Sequence, residues 1–241
     1  MCFHNSLSTD AQKLENRYQA EFNQRNQFQS VYHASAFQNI IWPVITNNQQ
    51  QHIQLFSWGL IPHWTKNILQ AEEIRQLTYN ARLETMFQKR SFAVAASSKR
   101  CLVPSTGFYE WQMNGKMKIP WFIRAADQEI FSLAGIWDTW TDENSGKEIY
   151  TFSIVTTEAV GIMEKIHNTK KRMPLLLTKE NETLWLSANS MQENYKFVIS
   201  SGFMELKAHT VSDLIGSKTK NSNIPDVQQE FHHFVNGLLF E

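Results

Sequence analysis

The chain has 241 residues, 42% of them hydrophobic and 19% charged, with 23 basic residues balanced by 23 acidic ones. That composition excludes a disordered chain, and the zero balance excludes a protein that coats duplex nucleic acid indiscriminately by counterion release. No apolar run nears the roughly 20 residues that span a bilayer, no signal pattern opens the chain, and two cysteines cannot build a disulfide framework or a four-thiolate zinc site.

In chain order, Cys2 comes first, beside the initiator Met1, where chains ordinarily fray. Asp10 to Phe22 sets Leu14, Tyr18 and Phe22 four apart behind a Thr9/Asp10 cap, predicting an amphipathic helix. Gln49 to Gln51 read as a polar turn before the strand-like HIQLFSW, and Ile68 to Leu77 as a short helix. From Phe92 to Thr157 the text is mostly β: FAVAAS, CLVPSTGFYEW, IPWFIRA, EIFSLAGIW and EIYTFSIVTT, punctuated by NGK and DENSGK. Helical text returns at Glu158 to Ile166 and Lys179 to Ala188, and residues 216–241 read as a long loop with a short terminal helix. These elements predict an α+β fold. It is a single domain over residues 1–241, with a curved, largely antiparallel sheet or barrel-like core that ends near residue 215 and is flanked by helices. The expected setting is cytoplasmic and reducing.

Four stretches bear chemistry. In WGLIPHW, Trp58 and Trp64 flank a Gly-Pro turn; such rings either pack in the core or stack on an unpaired base from a loop. In YNARLET, Asn80, Arg82 and Glu84 alternate, so an extended segment turns all three one way. An amide beside a guanidinium can hold a carbonyl and a phosphate, although a solvated face reads the same. In RCLVPSTGFYEWQ, Glu110 lies between Tyr109 and Trp111, where desolvation raises a carboxyl pKa toward neutrality; an outward-facing strand residue is the plain alternative. In IHNTKKRMPLLL, His167 precedes Lys170, Lys171 and Arg172, the densest basic cluster, which is either a solvated turn or a phosphate edge beside a proton carrier.

Cys2 after Met1, WGLIPHW, NARLET, RCLVPSTGFYEW, AGIW, SIVTT and the His…RMP segment occur in this order from Met1 to Leu177. Together they resemble the SOS response-associated peptidase family, whose members cap abasic sites in single-stranded DNA. The resemblance implies roles for the matching positions. Cys2 is the nucleophile exposed by loss of Met1, and Asn80 positions the reacting sugar. Glu110 and His167 form the acid/base pair, Arg82 and Arg172 hold phosphates, and Trp64 and Trp111 stack beside the lesion. It implies no cofactor and no metal, and a DNA partner that engages the protein at the nucleoid. A lesion of that size needs no second copy of the chain, so a monomer is expected.

The chain departs from the family pattern in two places. Phe3 and His4 stand where Gly and Arg are usual, and Asn168 to Lys171 lengthen the usual one-residue spacing between the His and Arg-Met-Pro. The first removes an expected DNA contact, and the second requires a bulged loop.

The implied chemistry explains the placement of Cys2. An α-amine with a pKa of roughly 7.7–8.0 is partly unprotonated at neutral pH and adds to the open-chain aldehyde of an abasic sugar. The thiol on the adjacent carbon then closes a five-membered thiazolidine intramolecularly. Lyase and self-processing peptidase activities are further implications. Two rivals remain: a thiol hydrolase built on Cys2, His167 and Glu110, and a non-catalytic single-strand binder using Trp64, Trp111 and Lys170–Arg172. A metal site ranks last, because His232 and His233, adjacent in a helical tail, point about 100° apart.

Overall fold

The computed structural model describes residues 2–187, 204–217, 219–235 and 238–239. The first half runs β1 (His4–Leu7), α1 (Ala11–Tyr18), β2 (Val31–Ser35), β3 (Ile41–Thr46), β4 (Gln49–Trp58), α2 (Ile68–Leu77), β5 (Asn80–Arg82) and α3 (Ala93–Ser98). The centre is a β run of β6 (Arg100–Ser105), β7 (Gly107–Asn114), β8 (Met117–Ala125), β9 (Phe131–Thr141) and β10 (Glu148–Glu158). Then come α4 (Ile162–Ile166), β11 (Arg172–Pro174), β12 (Leu176–Leu177), α5 (Lys179–Ser187), β13 (Leu206–Thr210), β14 (Phe234–Val235) and β15 (Leu238–Leu239).

The long strands close a barrel. β3 pairs with β4 and β6, β6 with β9, β9 with β10, and β10 in parallel with β4, which completes the ring. Closure removes free edges. β5, β11 and β12 add to it, β5 and β11 on β10 and β12 on β9. A second sheet has the order β13-β8-β7-β1-β2. The chain passes between the two at Thr106, whose hydroxyl is held by the Ser8 N–H at 2.9 Å and by the hydroxyls of Ser6 and Ser8. Gly107 follows because a Cβ there would sit 2.3 Å from the Phe122 ring. The fold is therefore α+β with a barrel-like core, as the sequence predicts.

Trp42, Trp58, Trp140 and Trp185 are fully buried. Each indole N–H donates to a carbonyl: to Pro104, Tyr79 and Thr65, and for Trp185 to both Cys101 and Gly135. Leaving one such donor unmet would cost about 1–3 kcal/mol. Trp58 thus belongs to the core, and its bond to the Tyr79 carbonyl fixes the residue before Asn80.

Several boundaries differ from the sequence reading. FAVAAS is not a strand: its alanines form α3, with Ala95 and Ala96 buried against the barrel. Gln49–Gln51 belong to β4, and the turn sits at residues 47–48, where Thr46 donates to Asn48 Oδ1. Asp10 caps α1 by accepting from the Lys13 N–H, but the helix stops at Tyr18, where Gln19 turns left-handed at φ 50°. α4 begins only at Ile162, after Gly161. In the tail, β14 and β15 pair where a terminal helix was expected. His233 is accordingly not helical, and it is buried with its ring bonded to the Val211 carbonyl. Ala188 and the tail positions 218, 236–237 and 240–241 lie outside the described residues. No helix among those described is long and apolar enough to cross a membrane.

Candidate active site

The beginning of the chain is an inner strand. β1 lies between β7 and β2, with His4 opposite Tyr109 on one side and Ser35 on the other. The direction of the ladder carries Phe3 and Cys2 on toward Glu110 and Trp111. Cys2 is fully buried, and its S–H donates to the His4 carbonyl at 3.7 Å. Glu110 is 4% exposed, and its Oε2 lies 3.9 Å from Nε2 of His167, at the end of α4. The other ring nitrogen of His167, Nδ1, sits 2.6 Å from the Arg172 carbonyl. A carbonyl only accepts, so the neutral ring carries its proton on Nδ1 and turns the Nε2 lone pair to Glu110.

Two further candidates lie on strands that pair with β10. Asn80 on β5 pairs with Ile154, and Arg172 on β11 pairs with Glu158. Asn80 is buried, yet neither its Oδ1 nor its Nδ2 has a hydrogen-bond partner among the described residues. Buried amides are nearly always satisfied, so both atoms of this one are open to a further hydrogen-bond partner. Tyr79, just before it, meets the Phe3 ring edge-on at 6.3 Å, which links this segment to the residue after Cys2. Ala81 and Leu83 turn inward while Arg82 and Glu84 face solvent, so NARLET alternates as expected except that Asn80 lies inside with the apolar residues. Arg172 makes a two-pronged bond to Glu84, at 2.8 and 3.0 Å, and reaches the Thr156 carbonyl at 2.7 Å.

The lengthened loop after His167 is a closed turn. The Lys171 N–H donates back to the His167 carbonyl at 2.9 Å, with Lys171 left-handed at φ 48°, and the Ala159 N–H takes the Lys171 carbonyl. Asn168 clasps β7 from the side, accepting from the Met113 N–H at 3.0 Å and donating to the Met113 carbonyl at 2.8 Å. Residues 168–171 therefore bulge outward while His167 and Arg172 stay joined.

The sequence profile of the family described as "SOS response associated peptidase (SRAP)" matches residues 1–218. The chain belongs to this family. The abasic site processing protein YoqW of Bacillus subtilis (strain 168) is 34% identical over 205 residues, 84% of this chain and 88% of that protein. The abasic site processing protein HMCES of Xenopus tropicalis is 26% identical over 195 residues, covering 73% of this chain and 57% of that one. A crystal structure of a Bacteroides thetaiotaomicron protein superimposes with a TM-score of 0.86 at 38% identity, over 95% of this chain and 100% of that one.

In this SRAP chain, burial governs the electrostatics of the Cys2 neighbourhood. It pushes the Cys2 thiol up, and the Glu110 charge adds to the effect, so the sulfur stays protonated at neutral pH. Burial pushes Glu110 up to about 8, with the positive amino terminus and the Trp111 N–H pulling part of the way back. Burial also lowers the His167 pKa, partly offset by the bond to the Arg172 carbonyl, and keeps that ring neutral.

The structure thus gathers Cys2, Glu110 and His167, with Trp111 next along β7 and Arg172 joined through its carbonyl, while Asn80 lies on β5, which like β11 pairs with β10. Trp64 lies on the loop between β4 and α2, half-buried under the Arg90 guanidinium, which lies 4.2 Å from the ring centre. That loop is pinned by Asp138, which accepts from the His63 N–H at 2.9 Å and from Lys99 at 2.5 Å. Sequence reasoning missed the Asn168 clasp, Asp138 and a second histidine, His33, whose Nε2 lies 2.8 Å from Nδ1 of His4. His4 and His33 are 29 positions apart, and no local pattern joins them.

Proposed function

We propose that this protein processes abasic sites in single-stranded DNA by a covalent cross-link through Cys2, after removal of Met1. The observation that carries this reading is the junction of β1 and β7, which buries the Cys2 thiol with the Glu110–His167 pair; the Asn80 amide, buried with no hydrogen-bond partner among the described residues, supports it. The α-amine of Cys2 adds to the sugar aldehyde, water leaves to give an imine, and the thiol adds to the imine carbon to close the thiazolidine. One water is lost in all.

These steps need a proton removed from nitrogen and delivered to oxygen. At neutral pH the pair starts with one proton on Glu110 and none on His167 Nε2. Passing it across is uphill, since burial favours the neutral imidazole, and yields a carboxylate that accepts from the amine and an imidazolium that donates to the sugar ring oxygen. A Glu110 pKa of about 8 matches that of an α-amine, so the transfer from the amine to the carboxylate is nearly level in energy. Asn80 supplies one donor and one acceptor to the sugar hydroxyls. Arg82 contacts the strand from the surface, while Arg172, already on Glu84, takes a phosphate only by exchanging that partner. Trp111, and the face of Trp64 that Arg90 leaves uncovered, offer ring surface to neighbouring bases. The imine can also eliminate the 3′ phosphate, which gives lyase activity as a side path.

A thiol hydrolase needs a thiolate, and a buried thiol with an elevated pKa opposes one. Incubation with abasic single strands yields an adduct that survives heat and detergent. Cys2→Ser keeps the amine and gives only an imine that borohydride must trap. A heat-stable adduct from Cys2→Ser equal to that of the wild type contradicts the assignment.

A further inference from the structure

Past residue 218, where the family match ends, the chain returns to the reaction centre. It covers the free edge of β2. The Asn223 side-chain oxygen accepts from the Tyr32 N–H at 2.7 Å and the His33 N–H at 3.3 Å, and the Gln228 amide donates to the Tyr32 carbonyl at 3.1 Å. Between this segment, β2 and β7 lies a cavity of about 680 Å³, bordered by His4, His33, Trp111, Lys220, Asn221 and Ser222 among others. It is within the volume range of small-molecule sites. No carboxylate lines it, and Lys220 is its one permanently charged lining residue among those described. It adjoins the reaction centre, because the Cys2 S–H donates to the His4 carbonyl and Trp111 follows Glu110.

A hydrogen-bond chain backs this wall. Ser222 Oγ lies 2.7 Å from His33 Nδ1, and His33 Nε2 lies 2.8 Å from His4 Nδ1. Burial holds both rings neutral, with pKa values lowered to about 4 for His33 and about 3 for His4. One hydrogen lies in each gap, so only two arrangements exist. If the Ser222 hydroxyl donates, His33 donates to His4, and His4 offers Nε2–H outward. If the chain runs the other way, His4 offers a lone pair. Phosphate oxygens only accept, so they select the first arrangement.

We infer that the C-terminal segment completes a subsite for the nucleotide next to the abasic sugar, whose phosphate rests on Lys220 and on the outward N–H of His4, with Ser222 and His33 fixing the hydrogen-bond direction. This rests on the abasic-site reading above, and it gives the segment a role in recognition. It also gives position 4 a neutral donor, backed by a cation from the tail.

The test measures fluorescence anisotropy of the full-length protein with single strands carrying tetrahydrofuran, an abasic analogue that cannot react. Lys220→Gln is expected to weaken binding about three- to tenfold and to lower the slope of log affinity against log salt by about 0.7. The effect should vanish for strands that end at the lesion on the side occupying the cavity. Ser222→Ala should weaken binding and shift the His4 and His33 tautomers in nitrogen-15 spectra of the complex, whereas Ser222→Thr keeps both at wild type. An unchanged affinity and slope for Lys220→Gln overturn the subsite. So does a loss that persists on strands shortened from either side, or a Ser222→Ala protein with wild-type tautomers. If the parent reading fails instead, the wild type forms no adduct with a true abasic strand, a separate observation from these.

Discussion

At position 110 a carboxyl is buried between two aromatic residues and beside a thiol, and holding a charge there opposes folding. The Glu110 pKa is raised from 4.5 to about 8, so its stabilising contribution is complete below pH 4.5 and is lost as pH rises toward 8. Glu110→Gln removes that dependence. Thermal melting of the variant should therefore gain on the wild type between pH 5 and pH 8, while adduct formation slows at least tenfold; parallel melting profiles contradict a buried, titrating carboxyl. Asn80 makes the complementary case. Its amide atoms have no hydrogen-bond partner among the described residues, so Asn80→Ala should leave stability unchanged or raise it by about 1 kcal/mol. Cross-linking by the same variant should fall more than tenfold. A loss of stability equal to that of an ordinary core truncation would make Asn80 structural.

Among the elements, the junction of α4 with β7 matters most, because it sets the separation of His167 and Glu110. Asn168 bonds both backbone groups of Met113, and together these are worth about 1–3 kcal/mol. Asn168→Ala should slow adduct formation about three- to tenfold in single-turnover assays, with equilibrium binding to a tetrahydrofuran strand unaltered. An unchanged rate would show that the histidine is held by the helix alone. The same junction shows what the sequence makes legible. β7, β9 and β10 were readable because long apolar and β-branched runs ended at clear turn residues such as NGK and DENSGK. FAVAAS misled because a six-residue apolar run has no measurable period, and its alanines chose a helix for packing reasons that lie outside the segment. Cys2, Asn80, Glu110 and His167 could be singled out from their motifs. The Met113 clasp and the His4–His33–Ser222 chain could not, since each joins residues brought together only by strand order.

At the scale of the molecule, a five-stranded barrel and a five-stranded sheet meet at Thr106, and the first residues of the chain enter that seam as an inner strand. Most proteins leave their termini on the surface, where an amine is solvated and mobile. Here the strands on both sides of β1 hold the start of the chain against Glu110, so processing at Met1 would deliver nitrogen and sulfur into a site already built. A balanced charge of 23 against 23 is consistent with the proposed cross-link, under which retention of a strand would rely on the bond formed with it and not on broad attraction to phosphate. The intact mass of the purified protein, taken before and after exposure to an abasic single strand, tests this most directly. The expected result is a chain lacking Met1, which then gains the mass of the oligonucleotide less one water, with the added mass on Cys2. A chain that keeps Met1 and still cross-links, or a processed chain that gains nothing, would contradict it.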